Sequence, residues 1–143
     1  MFKLLNCLIC DDVRQEKSGK AILIGVYGPD LNVTTPTPPN SAIPLNLWVE
    51  LQTEFKGSVG FEIRGLIVSS TKEAQKGVAF EGGGEAINDA PSHIHQITMQ
   101  FPCRIDFTHS VQLEIREKGG DWIPTKSLNI NAFPIVMPQP SSQ

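Results

Sequence analysis

The stretch LNLWVELQ, residues 45–52, decides how the chain reads. Leu45, Leu47, Val49 and Leu51 alternate with Asn46, Trp48, Glu50 and Gln52. Side chains alternate across a strand, so this pattern predicts one buried face and one exposed face. The same alternation recurs along the chain. SVGFEIRGLIV puts Val59, Phe61, Ile63 and Ile67 inward and Glu62 and Arg64 outward. HIHQITMQF groups Ile97, Met99 and Phe101 opposite Gln96, Thr98 and Gln100. SVQLEIRE groups Val111, Leu113 and Ile115, and SLNINAF groups Leu128, Ile130 and Ala132. GVAFE, residues 77–81, is a shorter candidate.

Turn chemistry separates these runs. KSGK and EKGGD supply glycines where a positive φ costs little. EGGGE and NDAPS read as loops. TTPTPPNSAIP carries prolines 36, 38, 39 and 44 and reads as a loop or crossover between sheets, since proline donates no ladder hydrogen bond. SSTKEAQKG, from Ser69 to Gly77, is the best short helical candidate, with Thr71 as its cap. Seven to nine short strands with turns between them predict an all-β, single-domain antiparallel β-sandwich, immunoglobulin-like or similar. The sandwich is expected over residues 1–135, followed by an extended or frayed tail over 136–143.

Bulk properties narrow the function classes. At 143 residues the chain suits one domain that needs neither disulfide nor metal to fold. Its net charge is −3 and its twelve Lys and Arg are scattered, which argues against a nucleic-acid surface. No apolar run approaches the ~20 residues that span a membrane. The opening MFKLLNCLICDD has one early lysine, a short apolar run and no small-residue cleavage site, so it reads as a first strand rather than a signal peptide. Three cysteines, an odd count, suit a reducing compartment, and the expected location is cytoplasmic.

The first strand continues into the most distinctive segment, LICDDVRQEKSGKAILIGVYG, residues 8–28. Leu4 to Cys10 reads as a strand buried on both faces. A polar continuation follows, then a Lys17–Lys20 turn with Gly19 left-handed, then a return strand from Ala21 to Tyr27. Asp12, Arg14 and Glu16 share one face by period two, while Asp11, Val13 and Gln15 share the other. An exposed ladder of this kind is worth about 0–1 kcal/mol. It is the solvated tip of a hairpin or a recognition edge for a partner. Asp11 and Asp12 point to opposite faces, so they form no shared acid–base pair.

Other constellations are weaker. Cys7 and Cys10 lie three apart on a strand and face opposite ways, so they read as small buried hydrophobes rather than a metal or redox pair. His93 and His95 share a strand face and could chelate a metal, with His109 and Glu114 as further ligands if the fold brings them in. The favoured reading places His93 in a loop and His95 at a strand end. Gly82-Gly83-Gly84 lacks the strand-to-helix context of a phosphate cradle. Trp48, pointing outward, and Trp122, beside the Gly119-Gly120 turn, are candidate contact residues.

The opening hairpin resembles a family of small uncharacterised bacterial proteins, a domain of unknown function. The match lies in Cys10-Asp11-Asp12-Val13-Arg14-Gln15-Glu16, Gly19-Lys20 and Leu23-Ile24-Gly25-Val26-Tyr27, and covers roughly the first thirty residues. The resemblance implies a bacterial, soluble, single-domain β protein and assigns no catalytic residue. The leading expectation is a non-enzymatic protein-binding or assembly module with no cofactor. It would contact a protein partner or a second copy through Asp12, Arg14, Trp48 and Trp122. A metal-binding enzyme or sensor using His93, His95 and His109 is one alternative. A sandwich binding a small carbohydrate or lipid is another.

Overall fold

The computed structural model describes residues 2–18, 20–35, 42–54, 57–71, 76–88 and 93–134. Within them nine strands follow in order: β1 (Phe2–Gln15), β2 (Ala21–Val26), β3 (Asp30–Thr35), β4 (Ala42–Thr53), β5 (Gly57–Ser70), β6 (Gly77–Asn88), β7 (His93–Arg104), β8 (His109–Glu117) and β9 (Ile123–Pro134). They form a four-stranded sheet, β2-β1-β4-β7, and a five-stranded sheet, β3-β9-β8-β5-β6. The all-β sandwich is as expected, with one departure. β3 pairs with β9 in parallel, Asp30 opposite Asn129 through Thr35 opposite Pro134. That pairing joins segments far apart in the chain, which local alternation cannot report.

The alternating residues supply the core. Leu45, Leu47, Val49 and Leu51 of β4 are 0–2% exposed. They cluster with Ile9 and Phe101 of their own sheet and with Phe61, Ile63, Leu113, Ile115, Leu128 and Ile130 of the other. Each such side chain contributes about 1.5–3 kcal/mol on leaving water. Two residues of edge strands β6 and β7 bridge the sheets, the rings of Phe80 and Phe101 stacking at 4.5 Å. On the opposite flank Cys7 Sγ lies 3.6 Å from Thr125 Oγ1 of β9.

Glycines 82–84 belong to β6, not to a loop, and pair with Ile63, Glu62 and Phe61. The reason is space. A Cβ at Gly82 would press on Met99 of the facing sheet, and one at Gly84 on the Phe61 ring. β6 therefore runs to twelve residues, well beyond GVAFE. The expected proline-rich crossover is shortened at both ends, because Thr34 and Thr35 close β3 and Ala42 to Pro44 open β4. Prolines 36, 38 and 39 lie outside the described residues, as do residues 72–75 of the helical candidate, Gly19 and the tail from 135. Two-faced burial in β1 holds at Ile9 and Cys10, both 0% exposed, while Asn6 is exposed after a register shift beside Leu4.

Candidate functional site

The opening hairpin forms an arm. β4 accompanies β1 only as far as Cys10, which pairs with Asn46. From there to Gln15, β2 is the strand beside β1 among the described residues, with Asp12 opposite Ile24, Val13 opposite Leu23, Arg14 opposite Ile22 and Gln15 opposite Ala21. The Glu16 amide donates to the Lys20 carbonyl at 2.8 Å and closes the turn. A two-stranded ribbon is marginal in water by itself, so the base of the arm must be anchored.

Asp11 provides that anchor. Its carboxylate accepts the Tyr27 hydroxyl, and its carbonyl accepts Asn46 Nδ2 at 2.7 Å. The same carboxylate lies over Gly25, where any Cβ would overlap it. Gly25 has φ 66°, a conformation glycine adopts at little cost. Tyr27 is half-buried against the core, and its amide donates to the Ile9 carbonyl at 2.8 Å. The hydrogen bond to Asp11, followed by burial, pushes the phenol up to about 12. Asp11 of the first strand and Gly25 and Tyr27 of the second thus meet as one structural joint.

Asp12 and Arg14 lie further out on the arm. Arg14 Nε sits 3.7 Å from Asp12 Oδ2, with side chains 68% and 56% exposed, and Asp12 Oδ1 also accepts the Val13 amide at 2.9 Å. Solvent screening leaves such a pair little energy. Beside them, on the same face, the edge strand β2 presents Ile22, Ile24 and Val26, which are 38–50% exposed. Alternation along the chain does not single out this apolar row. Its signal was the uncharged run AILIGV opposite a charged strand, visible only once the hairpin register is known.

The two tryptophans need correction as exposed contacts. Trp48 is 8% exposed. It sits on an interior strand, in register between Leu8 and Thr98, so neighbouring strands flank it on both sides. Its indole Nε1 is buried without a hydrogen-bond partner among the described residues. Trp122 is half-buried and lies against two guanidinium groups, Arg64 at 4.1 Å and Arg116 at 4.2 Å from the ring centroid. Arg64 Nη2 in turn pairs with Glu114 at 2.8 Å, and Arg116 with Glu62 at 3.2 Å. The indole is therefore engaged from within the chain by two ion-paired arginines.

The three histidines do not converge. His93 and His95 both belong to β7, opposite Thr53 and Leu51, and His95 Nε2 lies 3.3 Å from Thr53 Oγ1. His109 opens β8 in the other sheet, beside Cys103 and Arg104 at the far end of β7. That end is about 26 Å of strand from His95, at about 3.3 Å per residue. Among the described residues no group of three His, Cys, Asp or Glu side chains could hold a metal ion. Cys7, Cys10 and Cys103 are free thiols. Burial pushes the Cys103 thiol up to about 12, which removes its nucleophilic form at neutral pH.

No family model matches the chain, and no curated protein matches it. No helix among the described residues is long and apolar enough to cross a membrane.

Proposed function

We propose that this protein is a non-enzymatic assembly module that pairs through the free edge of β2 with β2 of a second copy. The observation that carries this reading is the exposed row Ile22, Ile24 and Val26 on an edge strand that no other strand covers among the described residues. Sheet edges are normally blunted by charge, proline or a bulge. The other three edges carry such devices: Pro102 on β7, Glu81 and Glu85 on β6, and Asp30 on β3. β2 reads Ala-Ile-Leu-Ile-Gly-Val, with neither charge nor proline. Gly25, at φ 66°, limits the straight part of the edge to its first four residues.

Register follows from charge. An antiparallel pairing centred on Leu23 sets Ile22 against the partner's Ile24. Each row across the interface then ends in Arg14 on one side and the partner's Asp12 on the other. A pairing centred on Ile24 would instead end one row in two aspartates. The Leu23 register makes a self-complementary, two-fold contact. It would also join two four-stranded sheets into one continuous eight-stranded sheet. The contact is small, so its dissociation constant is expected in the micromolar range.

Light scattering across a concentration series of the full chain tests this. A reversible monomer–dimer equilibrium is expected, abolished by Ile24→Lys and untouched by Ile94→Lys, a like change at an exposed residue of β7. A wild-type chain that stays monomeric at every concentration, or a dimer that survives Ile24→Lys, overturns the reading.

A further inference from the structure

The outer face of the five-stranded sheet carries a polar ladder at its β3 end. Leu31 of β3 and Leu128 and Ile130 of β9 belong to the core, so the residues that alternate with them face outward. The parallel β3–β9 pair sets Asp30 beside Asn129 and Asn32 beside Asn131. Asp30 and Asn32 are exposed, and Asn129 and Asn131 are half-buried. Ser110 of β8 extends the first row, its hydroxyl donating to Asn129 Oδ1 at 2.7 Å. An open pocket of about 250 Å3 lies here, bounded on its far side by Ser69 and Ser70 at the end of β5.

Internal hydrogen bonds hold the ladder without exhausting it. Asp30 Oδ1 accepts Asn129 Nδ2 at 3.3 Å and Asn131 Nδ2 at 3.4 Å, and Asn32 Oδ1 accepts Asn131 Nδ2 at 2.9 Å. Asp30 Oδ2, Asn131 Oδ1 and Asn32 Nδ2 have no partner among the described residues. The side chains are thus fixed while two acceptors and a donor stay available, which lowers the ordering cost of a ligand. Phe133 follows Asn131 on the same face, two residues and about 7 Å further along β9. Its ring is 56% exposed.

The chemistry of this face selects among ligands. No lysine or arginine lines the pocket among the described residues, and Asp30 is its one acid. An anion would meet that carboxylate with nothing to offset it. A metal ion would meet two amide N–H groups already turned toward the same carboxylate, and no three His, Cys, Asp or Glu side chains among the described residues gather to hold one. Neutral hydroxyl groups suit it, since each can both donate and accept. We infer that this face binds a neutral oligosaccharide, with adjacent hydroxyls at Asp30, Asn32 and Asn131 and the C–H face of a neighbouring sugar ring against Phe133. The ladder and β2 belong to different sheets, so this inference stands independently of the assembly proposed above.

Titration of the full chain with cellotriose, maltotriose and N-acetylated chitotriose, followed by NMR of the side-chain amides, tests it. Saturable shifts of the Asn32 and Asn131 amides are expected with at least one of the three, at a dissociation constant in the ~millimolar range. A trimer of galacturonate, which brings carboxylates to Asp30, is expected to bind at least about tenfold more weakly. Phe133→Ala should weaken the sugar about tenfold, and Ser69→Phe, at an exposed lining residue, should block it. Both variants should keep the wild-type melting temperature, and Ile24→Lys should bind sugar as the wild type does. No saturable shift with any of the three sugars overturns the inference. So does equal binding of the galacturonate trimer, or unchanged affinity in folded Phe133→Ala and Ser69→Phe chains.

Discussion

At Gly25 a single hydrogen atom in place of a side chain admits the Asp11 carboxylate and the Tyr27 hydroxyl it accepts. Gly25→Ala is expected to destabilise the protein by at least 1–2 kcal/mol, the approximate cost of a left-handed residue with a Cβ, plus the overlap with Asp11. Asp11→Ala should cost about 1 kcal/mol for the lost hydrogen bond. Urea unfolding of each variant measures both. His109 provides a second residue-scale test. Burial is the main cause that holds its imidazole below the ordinary pKa of 6.5. The folded chain thus binds fewer protons there than the unfolded chain, so stability is complete above that value and declines as pH falls through it. Melting temperatures between pH 7.5 and 5 should show this decline, with a shallower slope in His109→Gln.

Among the elements, the outer face of β5 and β8 is organised by Trp122 and its two arginines. Trp122→Ala is expected to cost about 1–2 kcal/mol, from two partly desolvated cation–π contacts. A double-mutant cycle with Arg64→Met would isolate one of them, read by chemical denaturation. The strands themselves were legible because each buries one face, so β4, β5, β7 and β8 announce their core residues by parity alone. What parity cannot report is what stands beside a side chain. Trp48 occupies the outward parity yet is flanked by Leu8 and Thr98. The glycine run resembled a loop because its reason, Met99 and the Phe61 ring, lies on other strands. The polar face of β3 and β9 was illegible for the same cause: it is assembled from strands far apart in sequence.

On the scale of the whole molecule, the proposed assembly leaves the core alone and uses its periphery, at a sheet edge. Self-association makes the melting temperature rise with protein concentration. Wild-type chain should show this effect. Ile24→Lys should lose the dependence on protein concentration, as read by calorimetry.

The parallel pair of β3 and β9 has a further consequence, for the order of events on the ribosome. Asp30 and Asn129 are separated by 99 residues. At about 5–20 residues per second, β3 waits roughly 5–20 seconds after its own synthesis for the strand that completes it. β8, which lies between β9 and β5 in the sheet, is made only shortly before its second neighbour. The five-stranded sheet is therefore closed by its last-made strand, and a nascent chain paused before β9 holds β3 without a partner.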